Sequence, residues 1–249
     1  MRILGIETST LLGGVSLVDG SSGLLAEVRL NIKTTHSERL MTLVDHIFKE
    51  TGLKISDMDA FAVAIGPGSF TGLRIGLSTV KGFAYVTGRP IVAVPTLEAL
   101  AWHFTYCRYP VCPMLDARKK EVFAALFKWE KESFVRIIPE VSTNTDNLLA
   151  RIYIFLSGDK SGDEDEKNKS NSSREKIIFT GEGAEIYRKR LTDCLGDRAF
   201  FASPEKMIPS PSNVATLGLR KAAKGEFSDP LGLVPFYLRR SEAEIKWDG

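Results

Sequence analysis

The sequence predicts an α/β protein built from two tandem units, each ordered βββαβαβα. Three observations carry this. Alternating, turn-punctuated stretches open each half; short apolar runs without alternation follow, as for strands buried on both faces; and stretches with apolar residues at 3.6-residue spacing separate those runs. The same order occurring twice indicates an ancient duplication. The expected boundaries are 1–108 for the first unit, 109–226 for the second and 227–249 for a tail.

In the first unit Arg2 to Thr8 reads as a strand, Gly13 and Gly14 mark a turn, and Val15 to Val18 pair back. A second turn at Asp19 to Gly23 leads into Leu24 to Ile32, completing an antiparallel meander. Thr35 and Glu38 form a T-x-x-E capping box ahead of a helix with the apolar face Leu40, Leu43, Val44 and Ile47, closed by Gly52. A strand at Ala60 to Ile65, a helix from Thr71 to Val86, a strand at Ile91 to Val94 and a helix from Thr96 through Phe104 complete the unit. The second unit repeats it with strands at Val111 to Leu115, Val122 to Phe127 and Phe134 to Val141. A helix at Thr145 to Phe155, a strand at Ile177 to Thr180, a helix at Ala184 to Leu195, a short strand at Ala199 to Ala202 and a helix at Ser212 to Ala223 follow. Residues 157–176 contain no apolar side chain and read as a solvated, mobile insertion. The tail, Val234 to Trp247, suits either a clamp across the two halves or a strip for a partner.

The glycine loop Gly66 to Gly76 and the helix it opens attract most functional weight. Leu73, Gly76, Leu77, Val80 and Ala84 make one apolar stripe, and Ile75, Thr79, Phe83 and Val86 make another on a different face. Two stripes imply burial on both sides, one against the sheet and one against something else. With Met41 and Phe48 beside the core face of the first helix, these residues form a candidate partner-binding surface. Loop N–H groups at a helix start also suit an anion. The loop ends without Lys-Ser/Thr and is not G-x-G-x-x-G, so tight-turn packing, a partner-binding helix and a phosphate cradle all stay open.

Composition narrows the classes. A formal charge of +2 gives no strong basic field for nucleic acid. The chain begins with a strand instead of an apolar signal segment, and no run of 18 apolar residues occurs, so a cytoplasmic location without membrane contact is expected. Three cysteines without a C-x-x-C pair agree with a reducing compartment. His103, Cys107 and Cys112 lack a fourth zinc ligand, and His36 and His46 are not spaced for one metal. G-x-S-x-G and H-E-x-x-H are absent, so no catalytic or metal-binding residue is assigned.

Gly5-Ile6-Glu7-Thr8-Ser9, the Gly66 to Gly76 loop, Pro95-Thr96-Leu97-Glu98, Leu115-Asp116-Ala117-Arg118 with Glu121-Val122-Phe123, and Tyr237-Leu238-Arg239 together resemble the TsaB family, also called YeaZ. The duplicated layout resembles the RNase H-like halves of the actin-like ATPase superfamily. The resemblance implies a non-catalytic partner and activator of TsaD, the bacterial transferase that places threonylcarbamoyl on the adenosine next to the anticodon of tRNA. It further implies a TsaD heterodimer working with the ATPase TsaE, a homodimer when alone, and tRNA contacted indirectly through the complex. No cofactor belongs to this chain alone; ATP and a metal ion are expected on the partner complex. The segment matching the metal-binding histidines of TsaD is Thr96-Leu97-Glu98-Ala99-Leu100, which has neither ligand. Glu7, Thr8, Ser9, Asp116, Gly181 and Gly183 are candidate vestiges of the ancestral nucleotide site. The alternative is an ATP-dependent small-molecule kinase or a glycoprotease-type metallopeptidase of the same superfamily. A third possibility is direct tRNA binding through Arg118, Lys119, Lys120 and the basic tail.

Overall fold

The computed structural model describes residues 1–31, 36–157 and 175–239. The chain forms two compact units, Met1–Ala99 with Pro209–Gly249, and Leu100–Ile208. Each is organised around one five-stranded sheet.

In the first unit β1 (Arg2–Glu7), β2 (Leu12–Asp19) and β3 (Gly23–Asn31) form the antiparallel meander. The sheet is extended by two parallel strands, β4 (Ala60–Gly66) beside β1 and β5 (Ile91–Pro95) beside β4, giving the order β3-β2-β1-β4-β5. Helices α1 (His36–Thr51) and α2 (Phe70–Thr87) connect β3 to β4 and β4 to β5. Their apolar faces meet one face of the sheet, where Leu40, Leu43, Val44, Ile47, Leu77 and Val80 join Leu4, Ile6, Val15, Leu17, Phe61 and Val63 in a common core. The second unit has β6 (Val111–Arg118), β7 (Glu121–Glu130), β8 (Ser133–Asn144), β9 (Ile177–Thr180) and β10 (Ala199–Phe201), in the order β10-β9-β6-β7-β8. Read by position in each repeat, that is the same topology. Its helices include α4 (Thr145–Ser157), α5 (Glu182–Ile186) and α6 (Arg188–Leu195); α3 (Thr96–Ala101) spans the boundary between the units.

Three sequence expectations change. Gly13 and Gly14 lie inside β2, and the turn falls at residues 8–11 instead. The Gly14 position is glycine for space: a Cβ there would stand 2.3 Å from the Val28 carbonyl oxygen and 2.9 Å from Pro211. The segment read as one helix from Ala184 to Leu195 is two, broken at Tyr187. The last helix, α7 (Pro211–Ala223), packs on β1, β2 and β4 of the first unit and not on the second sheet. The reason is complementarity of small residues. A Cβ on Gly5 would meet Ala215 at 2.7 Å and one on Gly218 would meet Ala62 at 2.4 Å, so helix and sheet approach more closely than larger side chains allow.

Beyond α7 the chain stays on the first unit. The Ser228 N–H donates to the Ile91 carbonyl (2.9 Å) and the Phe236 N–H to the Ile65 carbonyl (2.7 Å). Thr35 of the capping box, residues 158–174 of the insertion and the tail from 240 onward lie outside the described residues.

Candidate functional site

Helix α2 begins at Ser69, whose hydroxyl accepts from the Gly72 N–H (3.2 Å), and ends at Gly88 in the left-handed conformation (φ 69°). Its first stripe is buried as expected: Leu73, Gly76, Leu77, Val80 and Ala84 face the sheet. The second stripe divides. Ile75 and Phe83 are half-buried and pack against the same core, Phe83 with its ring 5.6 Å from that of Phe61. The hydroxyl of half-buried Thr79 donates to the Ile75 carbonyl (2.9 Å), one turn back. Val86 stands 81% exposed and its neighbour Tyr85 91%.

Where α1 and α2 diverge, a pocket of about 430 Å³ opens. Val44, Phe48, Leu53, Ile55 and Phe83 supply apolar walls, with Met41 and Val86 at the accessible edge and Asp45, Lys54 and Thr87 as its polar neighbours. Four of the six candidate partner-binding residues, Met41, Phe48, Phe83 and Val86, therefore converge on one concavity. Ile75 and Thr79 do not line it. The signal for Leu53 and Ile55 was present in the sequence as apolar residues just past Gly52, but no helical period linked them to α2.

The candidate vestigial residues gather at the ends of β1 and β6. In the first unit Glu7 is buried; its Oε1 accepts from the Ser9 N–H (2.5 Å) and the Ser9 hydroxyl, while Oε2 has no hydrogen-bond partner. Burial pushes its carboxyl up from 4.5 to about 7, against the opposing effect of the two Ser9 hydrogen bonds. The Thr8 hydroxyl donates to the Gly72 carbonyl (2.8 Å), and the Ser69 N–H donates to the Ser9 carbonyl (2.7 Å). The loop glycines meet this strand end directly: a Cβ on Gly68 would lie 2.4 Å from the Ser9 carbonyl oxygen, and one on Gly72 1.9 Å from that of Thr8. Close backbone packing accounts for these glycines, and two N–H groups that a phosphate cradle would use, on Ser69 and Gly72, are already donated to the Ser9 carbonyl and the Ser69 hydroxyl.

In the second unit Asp116 accepts from the Arg118 N–H (2.9 Å) and pairs with its guanidinium (3.3 Å). Arg118, Lys119 and Lys120 all have positive φ, at 63°, 50° and 64°, so the hairpin turns without glycine. Gly181 and Gly183 pack on β6, a Gly181 Cβ falling 2.1 Å from the Met114 carbonyl oxygen. Their glycine identity is again explained by close approach. Among the described residues no cluster of three or more His, Cys, Asp or Glu side chains is arranged to hold a metal ion. His103 bonds to the Ile208 carbonyl (3.0 Å), and Cys112 is buried with its thiol pKa raised by desolvation.

The family model described as "TsaD: tRNA N6-adenosine threonylcarbamoyltransferase" matches residues 23–247. A Bacillus subtilis (strain 168) protein, the tRNA threonylcarbamoyladenosine biosynthesis protein TsaB, is 30% identical over 247 residues, covering 99% of this chain and 98% of its own. The chain belongs to the TsaB family. The TsaB protein of Escherichia coli (strain K12) is 34% identical over 132 residues, 51% of this chain and 55% of that one. Among solved structures, a Pseudomonas aeruginosa protein with similarity to the peptidase YeaZ superposes with a TM-score of 0.74 at 25% identity, over 96% of this chain and 99% of the other. The two repeats share one strand order, the duplicated βββαβαβα layout expected from the sequence. Among the described residues no helix is long and apolar enough to cross a membrane.

Proposed function

We propose that this chain serves threonylcarbamoyladenosine formation in tRNA as a non-catalytic partner and activator of a TsaD transferase, docking it through the groove between α1 and α2. The observation that carries the reading is the convergence of Met41, Phe48, Phe83 and Val86 on one open apolar concavity, on the unit whose two surface helices are otherwise committed to their sheet. Family membership along nearly the whole chain supports the process. The missing histidines at Thr96 to Leu100 and the packed glycine loop support a division of labour in which ATP, a metal ion and TsaE act on the assembled complex. A pair of this kind buries about 1,200 Å² or more, and a shared groove also accounts for self-association of the chain when alone.

The variant that tests docking must not damage the core. Ile75 and Phe83 are half-buried against it, so charges there would disturb folding. Met41, 51% exposed, and Val86 are the suitable positions. Met41→Asp combined with Val86→Asp is expected to weaken capture of TsaD at least about tenfold and to lower tRNA modification in the reconstituted system, with an unchanged melting temperature. Wild-type capture by this double variant would reject the groove as the docking site.

A further inference from the structure

The groove helix has a weak start. Gly72 and Gly76, required by the close approach of Thr8, together with Gly82 put three helix-disfavouring residues into α2, and Gly66 and Gly68 precede it. The Ser69 cap and the sheet-facing stripe offset part of this, and a further contact reaches the start of the helix from the end of the chain. The segment after α7 runs to this point: Phe236 bonds to Ile65 at the end of β4, and a Cβ on Gly66 would lie 2.6 Å from the Phe236 carbonyl oxygen. Gly66 thereby makes room for the crossing chain. One residue later the Tyr237 ring stacks on Phe70, the first residue of α2, at 4.9 Å. The Arg74 guanidinium lies 3.8 Å from the centre of the Phe70 ring on the next turn, and its Nε donates to the Tyr237 hydroxyl (3.1 Å).

We propose that residues 228–239 act as a strap that sets the position of α2, with Tyr237 as the positioning residue that clamps its first two turns through Phe70 and Arg74. The strap does not line the groove; it fixes the helix that carries Phe83 and Val86. Ser228 is tied to β5, Leu233 packs against the common core and Phe236 is bonded to Ile65, so the strap is anchored along the stretch that delivers Tyr237 to α2. The consequence for partner capture rests on the docking reading above, whereas the consequence for α2 does not.

The two are separated by measuring both on the full-length chain. Tyr237→Ala is expected to speed hydrogen exchange in the first two turns of α2 while leaving exchange in the second unit and the far-ultraviolet spectrum unchanged. It should weaken TsaD capture about three- to tenfold, the range an aromatic contact accounts for. Tyr237→Phe keeps the stack and loses the Arg74 hydrogen bond, so it should restore most of the exchange protection and affinity. Unchanged α2 exchange in Tyr237→Ala overturns the strap, whatever happens to capture; so does faster exchange spread over the whole chain, which would mark Tyr237 as a general stability residue. Faster α2 exchange with rescue by phenylalanine supports it. If in the same assay the Met41→Asp, Val86→Asp chain still captures TsaD, the docking reading fails while the exchange result stands.

Discussion

At Gly72 two effects of a single methyl group oppose each other. Alanine favours helix over glycine by about 1 kcal/mol. At this position its Cβ would lie 1.9 Å from the Thr8 carbonyl oxygen, a backbone atom with no rotamer to escape into. Overpacking of that kind costs about 1–3 kcal/mol or more, so Gly72→Ala is expected to destabilise the protein by about 2 kcal/mol in urea unfolding. Gly82 on the same helix is exposed and has nothing within 4 Å of its would-be Cβ. Gly82→Ala should stabilise by about 0.5–1 kcal/mol, and equal effects of the two substitutions would show that α2 is not seated on Thr8 as described. Glu7 allows a prediction with a sign. Its carboxyl titrates near 4.5 when unfolded and about 7 when folded. Between those values the unfolded chain has lost the proton and the folded chain keeps it, so stability falls as pH rises through that window and levels off above about 7. Glu7→Gln has no proton to lose there. Its stability relative to the parent should rise from pH 5 to pH 8 by up to about 3 kcal/mol, and parallel pH profiles would exclude a buried, protonated Glu7.

For α2 as an element, the sequence period separates the sheet-facing stripe correctly but treats its second stripe as one surface. Burial divides that stripe by depth: Phe83 reaches Phe61, while Val86, one turn later, stands exposed at the edge of the groove. Phe83→Ala should therefore cost about 1–3 kcal/mol of stability, and Val86→Ala less than about 0.5 kcal/mol, when melting or urea midpoints are compared. Equal costs would mean that the stripe is a uniform surface after all. Periodicity made Met41, Phe48, Phe83 and Val86 legible because it reports which side of a helix is apolar. It was silent on Leu53 and Ile55, which reach the groove through the bend after Gly52. Glycine was the other ambiguous letter. At Gly13 and Gly14 it reads as a turn, yet Gly14 serves the approach of Pro211, a residue nearly two hundred positions away that no local pattern connects to it.

On the scale of the whole chain, the duplication is visible in the sequence because element order repeats, but the destination of the last helix is not, because amphipathic pattern says that a helix is buried without saying on which sheet. The choice falls to small-residue matching: Gly218 on Ala62, and Ala215 on Gly5. Helix α7 buries Val214, Ala215, Leu217 and Ala222 over the face of the first sheet opposite α1 and α2. Burying a valine and a leucine each contributes about 1.5–3 kcal/mol, and the strand residues beneath lose their cover as well, so removing α7 subtracts on the order of 5 kcal/mol. That is comparable with the whole stability of an ordinary domain. The second unit keeps its own core, in which Met114, Leu126, Leu148, Ile152 and Phe179 pack together without α7. A chain ending at Ile208 is therefore expected to lose structure selectively: limited proteolysis should degrade residues 1–99 rapidly while residues 100–208, apart from cuts within the 157–176 insertion, resist. Cleavage confined to the second unit, or persistence of residues 1–99, would show that the first sheet does not depend on the helix delivered to it from the far end of the sequence.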